Sequence, residues 1–92
     1  MSTHIAVAYD VSEDRNRRKV YQTLQRYGAW QQYSVFELEV SKTERVELED
    51  ELESHIDPSD GDRIRVYRLC SACLDATTDL GADPPDEQSN VI

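Results

Sequence analysis

Apolar and polar positions alternate along Thr3-His4-Ile5-Ala6-Val7-Ala8-Tyr9, the period of a strand. Ile5, Val7 and Tyr9 share one face; His4, Ala6, Ala8 and Asp10 share the other. The small side chains on the second face leave room for a close neighbour, so this strand is expected to be central. The spacing then lengthens, and Val20, Leu24 and Tyr27 recur at helical intervals. Ser12, followed by Glu13 and Asp14, has the chemistry of a helix cap and first turn. This predicts a helix from Ser12 to about Tyr27, with Gly28 just past its end.

Residues 29–40 are rich in aromatic and β-branched side chains, and Phe36, Leu38 and Val40 alternate with Glu37 and Glu39. They form either one long bent strand or two strands broken near Tyr33 and Ser34. Ser41 or Thr43 opens a second helix to about Ile56, with Leu48, Leu52 and Ile56 on one stripe. Asp57 to Asp62 reads as a turn. Arg63 to Leu69 reads as a strand, with Ile64 and Val66 on one face and Arg63, Arg65 and Tyr67 on the other. The order predicts an α+β fold, a ferredoxin-like β-α-β-β-α-β sandwich with both helices on one face of an antiparallel sheet. After Leu69 the pattern fades. The domain is assigned to residues 1–80 and residues 81–92 are read as a flexible polar tail.

Ninety-two residues leave room for one core only. No apolar run approaches the ~20 residues of a membrane span, and no signal peptide is evident, so a soluble cytoplasmic protein is expected. The net charge of −9 argues against a polyanion binder driven by overall charge. That charge is uneven: residues 1–36 carry five basic side chains and three acids, whereas residues 37–92 carry five and sixteen. Only two of the ten basic residues are lysines. An acid-rich, lysine-poor surface suits a halophilic source, and equally an ordinary acidic protein.

Asp10 is the sharpest candidate for chemistry. A carboxylate at the end of a central strand can hold a hard cation such as Mg2+, or simply cap the turn that follows. One carboxylate makes a poor metal site; two copies meeting across a two-fold axis make a better one. Arg15, Arg17, Arg18 and Lys19 open the first helix. At about 100° per residue, Arg15, Arg18, Lys19, Gln22 and Arg26 form a stripe opposite the apolar one, with Arg17 nearer the apolar side. The stripe either contacts phosphates or is a solvated face. Cys70-Ser71-Ala72-Cys73 has the spacing of half a zinc site, or of two reduced thiols.

Several of these segments together resemble a known family. Ala8-Tyr9-Asp10-Val11-Ser12, a basic helix start, Tyr27-Gly28, Gln32-Tyr33-Ser34-Val35-Phe36-Glu37 and Arg63-Ile64-Arg65-Val66-Tyr67-Arg68-Leu69 are similar, in that order, to the small CRISPR-associated adaptation protein, the Cas-two family. The resemblance implies a ferredoxin-like homodimer, a metal-dependent endonuclease activity on RNA or DNA, and a place between two dimers of the Cas-one integrase during spacer acquisition. It implies Asp10 as the catalytic and Mg2+-binding residue, facing its symmetry mate. It places Tyr9, the first-helix residues Arg15, Arg17, Arg18, Lys19 and Arg26, and Phe36 at functionally sensitive positions. It also implies that a C-terminal strand, here Leu74 to Leu80, joins the partner's sheet. Gln31 and Gln32 stand where the family often has a basic residue. A non-catalytic adaptor dimer that only holds duplex DNA and the integrase is the alternative reading.

Overall fold

The computed structural model describes residues 2–82; most of the predicted polar tail, residues 83–92, lies outside them. Strand β1 (Ser2–Asp10) leads into helix α1 (Asp14–Gln25), strands β2 (Gly28–Gln32) and β3 (Val35–Ser41), helix α2 (Lys42–Glu53), strand β4 (Arg63–Leu69) and a short helix α3 (Ser71–Asp75). The sheet order is β2-β3-β1-β4, antiparallel at every pairing. This is the expected ferredoxin-like arrangement, with β1 central.

The alternation in β1 is what builds the core. Ile5, Val7 and Tyr9 are buried with Phe36, Leu38 and Val40 of β3, Val20, Tyr21 and Leu24 of α1, and Leu48 and Leu52 of α2. Each such side chain contributes about 1.5–3 kcal/mol by leaving water. Tyr21 stands edge-on to Phe36, with ring centroids 5.3 Å apart. Among the described residues α1 and α2 both pack on the face of Ile5, Val7 and Tyr9; on the opposite face His4, Ala6 and Ala8 line up with Glu39, Glu37 and Val35 on β3 and with Leu69, Tyr67 and Arg65 on β4.

The structure decides between the two readings of residues 29–40, and several other local details differ from the pattern-based expectation. Residues 29–40 form two strands, and the break falls at Tyr33, whose φ of 41° lies in the left-handed region. Trp30 Nε1–H donates to Tyr33 O at 2.7 Å and fastens this turn. Gly28 does not close α1. It is the first residue of β2, where a Cβ would stand 2.4 Å from Glu37 O and 2.9 Å from Leu38 Cα, so the two strands can approach only around a glycine. Helix α1 ends earlier, at Arg26, whose N–H bonds Thr23 O at 3.3 Å. Helix α2 stops at Glu53, and Ile56 packs on the core from the turn beyond it. Leu74 to Leu80, where the resemblance implies a strand only on a partner's sheet, opens as helix in the single chain. Leu74 N–H donates to Cys70 O at 3.0 Å, a helical bond, and Leu74 and Asp75 belong to α3.

Candidate functional site

Asp10 ends β1 and is exposed, on the sheet face turned away from α1 and α2. Strand alternation turns Tyr9 the other way, into the core, where its ring centroid lies 6.4 Å from that of Phe36. Tyr9 and Phe36 therefore support Asp10 from beneath. Burial pushes the Tyr9 hydroxyl up to about 12, with neighbouring Tyr21 adding to the shift and Arg17 opposing it. Tyr9 stays protonated near neutral pH and is no proton acceptor.

The loop after Asp10 is pinned from three directions. Val11 is buried in the core. Ser12 N–H donates to Asp62 Oδ1 at 3.0 Å, and Asp57 N–H donates to Asp62 Oδ2 at 2.9 Å. Arg17 Nη1 donates to Val11 O at 3.0 Å, and the same guanidinium pairs with Asp14. Asp62 is only 6 % exposed, and the backbone N–H of Asp57, then that of Ser12, hold its carboxyl below the usual carboxylate range. One buried carboxylate thus ties the segment following Asp10 to the turn that precedes β4. This residue has no signal in the sequence, where it reads as one more acid in a turn.

Antiparallel pairing brings a second group that the chain order hides. Asp10 lies opposite Arg63 in the β1–β4 register, and Ala8 lies opposite Arg65. Arg63 and Arg65 therefore share the sheet face of Asp10. The Arg65 guanidinium sits 5.1 Å from the centre of the Tyr67 ring. The register thus sets one carboxylate and two arginines at one corner of the open face, residue types able to receive a phosphate anion. His4 is on the same face but six residues back along β1, roughly 20 Å away, and its imidazole lies 3.7 Å from Glu39. Among the described residues no three His, Cys, Asp or Glu side chains converge on a metal position.

The basic residues of α1 and of its C-cap divide into three groups. Arg15, Arg18 and Lys19 are exposed and carry no ion pair among the described residues. Arg17 is committed to the loop described above. Arg26 pairs with Glu51 of α2, and its guanidinium lies 5.9 Å from the Tyr27 ring centre. Thr23 Oγ1 is 2.8 Å from Glu51 Oε2; this hydroxyl first, and then Arg26, hold the Glu51 carboxyl below its ordinary value. Arg26 thus serves the α1–α2 contact. Cys70 and Cys73 lie at the far end of β4 from Asp10, since His4 pairs with Leu69 where Asp10 pairs with Arg63.

Residues 3–77 match the family model of CRISPR associated protein Cas2. The chain is 43% identical over 88 residues to CRISPR-associated endoribonuclease Cas2 2 of Methanospirillum hungatei, covering 96% of this chain and 97% of the relative. Among solved structures it is similar to Streptococcus pyogenes Cas2, with a TM-score of 0.75 and 31% identity over 85% of this chain and 99% of that one. It is also similar to a chain of a partial Cas6-RT-Cas1–Cas2 complex, with a TM-score of 0.73 and 29% identity over 89% and 88% of the two chains. These matches cover the sheet, both long helices and the Asp10 corner, and the chain belongs to the CRISPR-associated Cas2 family.

Proposed function

We propose that this chain acts in CRISPR adaptation as a homodimer that partners a Cas1 integrase and holds duplex nucleic acid. The observation that carries this reading is the likeness, across nearly the whole chain, to the chain assembled in a Cas1–Cas2 complex. The open sheet face supports the dimer. It presents Ala6, Ala8 and Val35, all half-buried, and Tyr67, which is 47 % exposed, among the charged Glu37, Glu39 and Arg65, a mixed face whose small side chains leave room for a second copy and whose opposite charges can pair across a two-fold axis. Arg15, Arg18 and Lys19 offer cations for phosphates in a chain whose net charge is −9.

A second reading, Mg2+-dependent phosphodiester cleavage at Asp10, is favoured by the exposed carboxylate beside Arg63. One chain supplies one carboxylate there. Mg2+ is commonly held by one or two carboxylates, waters and substrate phosphate oxygens, so Asp10 from each of two copies fits its needs. A bound ion would polarise the phosphate and acidify a water. The chain's own contribution is to hold the ion at Asp10 and to neutralise the phosphate with Arg63 and Arg65. Tyr9 takes no part in proton transfer, and His4 lies too far along the strand.

The test uses the intact chain with the integrase from the same genomic locus. Co-elution with the integrase and a dimer by light scattering are expected; failure of both would overturn the first reading. Asp10→Ala should leave the dimer intact or firmer, because two facing carboxylates repel without metal, and should abolish Mg2+-dependent cleavage of a labelled duplex. Cleavage that survives this substitution sinks the second reading. Arg15→Ala with Arg18→Ala should weaken duplex binding without changing sequence preference and lower the salt slope by about one unit per lost phosphate contact.

A further inference from the structure

The thiols of Cys70 and Cys73 stand apart from everything assigned so far. They are the only cysteines in the chain, and both are exposed. Their sulfurs lie 3.0 Å apart, and Cys73 N–H donates to Cys70 Sγ at 3.3 Å. The turn that presents them is held by its own bonds: Leu74 N–H to Cys70 O at 3.0 Å and Thr77 Oγ1 to Cys73 O at 3.0 Å. Asp10 is at the other end of the strand pair, roughly 20 Å away along β4. A metal reading needs two further ligands, and none converges here among the described residues.

We propose that Cys70 and Cys73 form a reversible dithiol–disulfide pair that exchanges with small-molecule disulfides. The two sulfurs need to close by only about 1 Å to reach the bonded separation of about 2.05 Å, a movement within reach of side-chain rotation. The attacking sulfur is Cys70. Hydrogen bonds from the Cys73 thiol and then from its N–H hold the Cys70 thiol below its ordinary value, while the bond to Cys70 pushes the Cys73 thiol up. The Cys70 thiolate attacks one sulfur of R–S–S–R, forms Cys70–S–S–R and expels one thiolate, which takes up a proton. Cys73 gives its proton to solvent, attacks Cys70 Sγ and expels the second thiolate. The protein pair is oxidised by two electrons, and R–S–S–R is reduced to two R–SH. The covalent ring then fixes the path by which the chain leaves β4, an edge strand of the sheet.

The experiment incubates the full chain with oxidised glutathione and follows free thiols and intact mass, then adds dithiothreitol. The wild type should lose both thiols, retain no glutathione, weigh two hydrogens less and recover fully on reduction. Cys73→Ser should stop with one glutathione attached. Cys70→Ser should likewise stop with one glutathione attached, on Cys73. A wild type that retains glutathione, or keeps both thiols free in excess oxidant, overturns the proposal. So does a purified chain whose thiols become reactive only after a chelator removes zinc.

Discussion

Helices α1 and α2 are each twelve residues long and cover the same sheet, yet they begin by different physics. Helix α2 caps itself. Ser41 Oγ accepts from Glu44 N–H at 3.1 Å and Glu44 Oε1 accepts from Ser41 N–H at 2.8 Å, a complete capping box. Helix α1 has Glu13 at its N-cap and no side-chain cap bond. Its entry is held instead by Arg17 on Val11 O and by Asp62, fifty residues away, on Ser12 N–H. The charges differ as well: α1 carries four basic residues and one acid, α2 two basic residues and six acids. A self-capped helix can form wherever the chain puts it. A helix entered through a long-range tether fixes the loop before it, and that loop follows Asp10. The tether sits where a candidate site needs position, and the local cap sits where nothing but the fold depends on it.

The largest effect should come from the property the two helices share. Leu24 of α1 and Leu48 of α2 are both fully buried. Leu24→Ala and Leu48→Ala should each cost about 2–5 kcal/mol in urea unfolding. Similar costs would show that both helices are anchored equally by the core, however they start. A loss below about 1 kcal/mol at either position would mean that this helix depends mainly on its ends.

The next effect separates them. Asp62 has a depressed carboxyl pKa in the fold, so it stabilises above its unfolded value of about 3.9, and that contribution is lost as pH falls through the folded value. Asp62→Asn should therefore flatten part of the fall in stability below about pH 4 and should speed hydrogen exchange at the Ser12 amide. Exchange at the Glu44 amide, at the start of α2, should not change. Unaltered protection at Ser12 would break the tether account.

How far the sequence reached follows the same division. Ser41 with Glu44 three positions on is a local signal, and Ser41 as the cap of α2 was legible as one of two candidates. Ser12 was equally attractive as a cap and is not one: Glu13 stands at the N-cap, the Ser12 hydroxyl turns to Asp60 O, and the Ser12 amide finds an acceptor fifty residues away, a pairing that no window of sequence contains. Arg63 has the same history: its alternation with Ile64 was visible, but only the register of β1 with β4 brings it opposite Asp10. Gly28 looked like a helix terminator because it follows a helix, whereas its reason is the backbone of β3 pressed against it. The central strand, the core stripe Val20 and Leu24, and the strand from Arg63 to Leu69 were legible because periodicity alone determines them.

The smallest effect is the sharpest test of the contrast between the two serines. Ser41→Ala removes the hydroxyl that accepts from Glu44 N–H, and should cost about 1 kcal/mol, lowering the melting temperature by roughly 4–8 °C in a domain of this size. Ser12→Ala keeps the backbone N–H that Asp62 holds. It loses a hydroxyl that lies 3.4 Å from Asp60 O and that adds the least of the hydrogen bonds on the Asp62 carboxylate, weak contacts at an exposed position. Its cost should stay within about 0.5 kcal/mol. The two substitutions delete the same atom from residues that each stand just ahead of a helix, so general effects of losing a serine largely cancel between them. Equal destabilisation would mean that the Ser12 hydroxyl caps α1 in solution, and the distinction between a self-capped and a tethered helix would fall.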